Sequence, residues 1–70
     1  MHPGERVRKY RKKRGLSQET LGAMIGFSQS KISKIENGYC DSLSDLRLIA
    51  AALEVSIEEL VREDETDENG

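Results

Sequence analysis

Apolar residues recur along this chain at spacings of three and four, the period of helices that pack by one face. Five such stripes can be read: Val7 with Tyr10; Leu21, Met24 and Ile25; Ile32 and Ile35; Leu43, Leu46, Ile49, Ala50 and Leu53; and Ile57, Leu60 and Val61. Ser17, Ser28, Ser42 and Ser56 each stand just before a stripe, where a hydroxyl can accept a bond from an otherwise unpaired helix-start amide. Leu16 with Leu21, Phe27 with Ile32 and Val55 with Leu60 have the spacing of a hydrophobic staple, and Asp45 and Glu59 that of the acid in a capping box. Gly15, Gly26 and Gly38 suit the left-handed turn that ends a helix. The pattern predicts an all-α fold with helices over about 4–14, 17–25, 28–37, 42–53 and 56–62, and no strand. Residues 4–62 then form one compact five-helix domain. Residues 1–3 are expected to fray, and 63–70, EDETDENG, to form a disordered acidic tail, since they have no apolar side chain.

The third predicted helix is the odd one. Between Gly26 and Gly38 its only large aliphatics are Ile32 and Ile35, three apart and enough to dock one face. Projection at ~100° per residue turns Ser30, Ser33, Lys34 and Asn37 outward and leaves Gln29 on the flank of the first turn. Only GFS separates this helix from the one before. So short a glycine-containing turn forces a steep crossing, the corner of a helix-turn-helix, with Gly26 expected at positive φ.

Composition narrows the classes. With 36% hydrophobic residues and no Trp in 70 positions, every apolar side chain at helical spacing is presumed to be core, Met24 included. The single cysteine, Cys40, has no partner for an intrachain disulfide and no companion at zinc spacing. His2 lacks a catalytic or metal partner, and the carboxylates of 54–68 lack the spacing and glycine of a calcium loop. No enzyme site, cofactor or metal is expected. No apolar run nears the ~20 residues that span a bilayer, so a cytoplasmic protein is expected.

Charge is divided along the chain. Residues 1–40 carry a net +6 and residues 41–70 a net −8. Such separation suits one face for a polyanion and another kept clear of it, or simply a solvated basic helix and a solubilising tail.

The segment LSQETLGAMIGFSQSKISKIENG (16–38), with VRKYRKKRG (7–15) upstream and LRLIAAALEVSIEEL (46–60) downstream, resembles the lambda-repressor/Cro-type helix-turn-helix family, also called the xenobiotic-response-element family. The resemblance implies a DNA-binding domain whose third helix enters the major groove of double-stranded DNA. It assigns base reading to the first turn and outer face of that helix, hence Gln29, Ser30 and Lys34, with Ser33 as a fourth member. A Gln amide can donate to and accept from adenine at once, while Ser and Lys suit guanine acceptors. The resemblance also implies that Gln18 bonds a phosphate and braces Gln29, and that Asn37 meets a phosphate, although Asn before Gly is also turn chemistry. Lys31, at the helix edge, is a phosphate candidate or a solvated lysine. Arg11 and Glu36 project inward, and the family pattern makes them a structural ion pair. Arg8, Lys9, Lys12 and Lys13 on the first helix either draw phosphates non-specifically or are merely solvated.

These readings point to a transcriptional regulator, with repression by operator occupancy as the leading form. It would act as a homodimer through the fifth helix, by Ile57 or Val61, and without a ligand-sensing domain in these 70 residues. The competing reading is a protein-interaction adaptor that works through the acidic C-terminal region and leaves the third helix idle.

Overall fold

In the computed structural model, which describes residues 2–39 and 42–61, the five stripes become α1 (Pro3–Lys13), α2 (Gln18–Ile25), α3 (Gln29–Glu36), α4 (Leu43–Leu53) and α5 (Ile57–Val61). No strand occurs among the described residues. Cys40 and the proposed tail 63–70 lie outside them.

The serine caps form as their hydroxyls allow. Ser17 Oγ accepts the Thr20 amide at 2.9 Å, Ser28 Oγ that of Lys31 at 3.1 Å, Ser42 Oγ that of Asp45 at 3.4 Å and Ser56 Oγ that of Glu59 at 3.4 Å. Each satisfies a donor that the helix itself cannot. Gly26 ends α2 at φ 80°, and Gly15 and Gly38 also take positive φ. Helix α4 ends without a glycine: Glu54 adopts φ 62°, a left-handed conformation costing about 1–2 kcal/mol in an L-residue.

The N-terminus corrects the sequence reading. Of residues 1–3, all expected to fray, Met1 lies outside the described residues, but α1 starts at Pro3, and His2 caps it by accepting the Glu5 amide on Nδ1 at 3.3 Å. Proline suits this position because its missing N–H would have no helical partner. The next residue, Gly4, is buried where α1 meets the end of α3, so close that an added Cβ would collide with the carbonyl oxygen of Ile35.

Val7, Leu21, Ile32, Ile35, Leu46, Ile49, Ala50, Leu53 and Leu60 form the buried core, which all five helices supply. Leu16, Phe27 and Val55, the outer halves of the three staples, pack against it. Three residues counted as core are not. Met24 is 53% exposed and Leu43 52%, and Val61 is exposed at the end of α5. In α2 the closest approach to the turn is made by Gly22, which centres the buried face on Leu21, Gly22 and Ile25 and rotates Met24 outward. Leu43 sits at the first position of α4, beyond the edge of the core.

Candidate nucleic-acid interface

The turn between α2 and α3 is built on two glycines. Gly26 supplies the positive φ. Gly22 lets the chain fold back on α2: the Phe27 amide donates to Gly22 O at 2.8 Å, and a Cβ on Gly22 would strike the Phe27 carbonyl oxygen. Phe27 then rests on the core, and Ile32 and Ile35 bury one face of α3. Gln29, Ser30, Lys34 and Asn37 remain exposed, and Ser33 is half-buried.

Behind this face lies a connected polar network. Arg11 and Glu36, 8% and 5% exposed, pair in a fork: Nε donates to Oε2 at 2.6 Å and Nη2 to Oε1 at 3.1 Å. The third guanidinium nitrogen, Nη1, donates to Leu16 O at 2.8 Å. Planar, charge-assisted pairing of this kind is the strongest hydrogen bonding that side chains offer. Glu36 Oε1 also accepts Gln18 Nε2 at 3.0 Å, and Gln18 Oε1 in turn accepts Gln29 Nε2 at 2.7 Å. Four side chains from α1, α2 and α3 thus run from a buried charge to the outer surface of α3.

The Gln18–Gln29 contact implied by the family resemblance is present, as is the Arg11–Glu36 pair. Sequence reasoning missed the Gln18–Glu36 bond that joins them. Its signal was the seven-residue spacing of Gln29 and Glu36, which puts both ends of α3 on one side. Tyr39 was also missed. It follows α3's C-terminal cap and is 81% exposed, outside any periodic pattern.

The remaining candidates are more occupied than their sequence positions suggest. Asn37 Nδ2 donates to Ser33 O at 2.9 Å and lies 3.5 Å from Ser33 Oγ, closing the last turn of α3. The Lys31 ammonium stands 4.0 Å from the Phe27 ring centroid and 3.5 Å from Asp45 Oδ2, which makes it a strut from α3 to α4. On α1, Lys9 and Lys13 lie 5.8 and 5.7 Å from the Tyr10 ring centroid, and the Tyr10 hydroxyl donates to Glu59 of α5 at 2.8 Å. Those two amines therefore sit toward α5. Arg8 and Lys12 are exposed. Among the described residues no three His, Cys, Asp or Glu side chains gather to hold a metal, and no helix is long and apolar enough to cross a membrane.

Comparison with known proteins places this geometry. A family model described as helix-turn-helix matches residues 7–60. The HTH-type transcriptional regulator SinR of Bacillus licheniformis is 36% identical over 96% of this chain, which spans 63% of that protein's length. Among solved structures, the P22 c2 repressor in complex with a synthetic operator superposes with a TM-score of 0.82 at 34% identity, covering 91% of this chain and 98% of the other. The restriction-modification controller protein C.AhdI from Aeromonas hydrophila gives 0.77 at 37% identity, covering 83% and 86%.

Proposed function

The chain belongs to the lambda-repressor/Cro-type helix-turn-helix family, and on that premise we propose that it is a sequence-specific double-stranded DNA-binding regulator of transcription that represses by occupying an operator. Helix α3 enters the major groove. One observation carries this reading: the Gln18–Gln29 bond holds Gln29 at the start of α3, with its remaining donor and acceptor free beside exposed Ser30 and Lys34. That is the part of a recognition helix from which base edges are reached.

In this reading Gln29, Ser30 and Lys34 contact bases, with Ser33 behind them. Gln18 and Asn37 bond phosphates at either end of α3, Gln18 through the hydrogen that its bond to Glu36 leaves over and Asn37 by giving up its longer contact, 3.5 Å, with Ser33 Oγ. Lys31 adds positive potential at the groove wall while it braces α4. Contacts of this kind set register on the duplex, and the base contacts set specificity. Kinship with a repressor solved on its operator supports the partner. Two copies would meet through α5, where Val61 is exposed; Ile57 packs against the core and is the poorer candidate. The protein would work in the cytoplasm, on DNA held there.

The test is binding by Gln29→Ala and Lys34→Ala variants to an operator selected by the wild type, at fixed salt. Each is expected to lose about 5-fold or more in affinity and to melt as the wild type does. Unchanged affinity in both would refute the reading and favour an adaptor that leaves α3 idle.

A further inference from the structure

The geometry points to Glu36 as a specificity-determining positioning residue: its buried carboxylate sets which way the Gln29 amide faces, and so which purine Gln29 prefers. This rests on the proposed base-reading role of Gln29 and adds to it a cause lying two residues away in the hydrogen-bond chain.

A carboxylate can only accept hydrogen bonds. Both oxygens of Glu36 already accept from the Arg11 fork, so the Gln18 group facing Oε1 at 3.0 Å must be the NH2. The other end of that amide, its carbonyl oxygen, then faces Gln29. A carbonyl oxygen accepts only, so Gln29 must turn its NH2 inward, at 2.7 Å. Gln29 is left presenting Oε1 and its second N–H to the outside, one acceptor beside one donor. Adenine offers the complement in the major groove, an N6–H donor beside the N7 acceptor, whereas guanine offers two acceptors, N7 and O6. A planar amide in isolation could present either of its edges. Here the choice is made in the interior, by a charge that is 5% exposed, and is passed outward through two amides.

The same logic predicts what an amide at position 36 would do. In Glu36→Gln the new side chain has one oxygen where three donors meet, and wherever that oxygen goes to Arg11 Nε, now 2.6 Å from Oε2, rather than to Arg11 Nη2 and Gln18 Nε2, the relay reverses. An NH2 would then face Gln18, which must turn its oxygen inward and its NH2 toward Gln29. Gln29 must in turn offer its oxygen to Gln18 and present both N–H bonds outward, the complement of guanine. Gln18→Met breaks the relay and leaves Arg11–Glu36 intact, so Gln29 is free to present either edge. A purely structural Glu36 would change stability, but not the choice between purines.

The experiment is competitive binding to duplexes that differ only by adenine or guanine at the base pair whose preference Gln29→Ala abolishes. The readout is the affinity ratio, which is insensitive to any phosphate bond lost with Gln18. Wild type should favour adenine by about 5- to 150-fold, the range of one bidentate contact, and Gln18→Met should fall to within about 3-fold of parity. Glu36→Gln, with one oxygen shared among three donors, should lower the preference for adenine. If Glu36→Gln does not fold, Gln18→Met alone decides. A wild-type ratio retained in Gln18→Met, while Gln29→Ala loses the preference, would overturn this inference and leave the base-reading role standing. A Gln29→Ala variant with unchanged preference at every base pair would remove both.

Discussion

Replacing Arg11 with alanine isolates the buried pair on which the site is mounted. The guanidinium makes three bonds, two to Glu36 and one to Leu16 O, at 2.6–3.1 Å. Without it the Glu36 carboxylate stays buried with Gln18 Nε2 still donating to it, and the Leu16 carbonyl loses a partner. Stranding one charge of a buried pair costs about 3–5 kcal/mol. A 70-residue domain has about 4–10 kcal/mol of stability in all, so Arg11→Ala should consume much of it. At about 4–8 °C per kcal/mol for a domain this small, the midpoint should drop by at least about 12 °C in a thermal melt followed by circular dichroism. Arg11→Met combined with Glu36→Leu removes both charges and should regain most of the loss, because well-packed apolar pairs often match a buried ion pair. It should not regain the preference for adenine, since Gln18 would have no acceptor at position 36. An Arg11→Ala midpoint within about 3 °C of wild type would refute the claim that the pair holds α1 to α3.

Other perturbations test separate parts of the account. Gly4→Ala puts a methyl into the Ile35 carbonyl, a backbone obstacle that cannot rotate away. Chemical denaturation should show a loss of about 1–3 kcal/mol, as for other overpacked sites. At Gly26 an alanine would meet nothing within 4 Å but would be held at φ 80°, so the loss should be smaller, about 1–2 kcal/mol. Leu43→Ser and Met24→Gln should each change stability by no more than about 0.5 kcal/mol, because both side chains are about half exposed; a core-sized loss would put them back in the interior. Val61→Glu should leave the monomer's melt unchanged while lowering the apparent mass in sedimentation, if α5 joins two copies.

Most of the scaffold was legible because it is written in short-range chemistry. Serine caps, glycines at positive φ and apolar spacing are local, and they located all five helices to within a residue or two. The failures came where three-dimensional neighbours decide. Periodicity gives a stripe but not its width, so it could not say that Gly22 sets the buried face of α2 and turns Met24 out. It could not identify His2 as a cap, since the usual hydroxyl or carboxamide is absent there and an imidazole nitrogen accepts instead. Nor could it tell that Lys31 reaches Asp45 on α4. Of the site, family resemblance supplied the two pairs, Arg11 with Glu36 and Gln18 with Gln29. Their union depends on the angle at which α2 crosses α3, which brings Gln18 within reach of both ends of an eight-residue helix. That angle is a property of packing around Gly22 and Gly26.

The central claim is that the polar face of α3 reads DNA sequence. Selection by the wild-type protein from random duplex DNA, at one stated salt concentration, tests it most directly. The account predicts enrichment of a defined half-site that contains an adenine whose replacement weakens binding. For a two-fold dimer, that half-site should recur inverted about one helical turn (~34 Å) away. A recovered pool as random as the starting one, from protein shown to be folded, would contradict the claim.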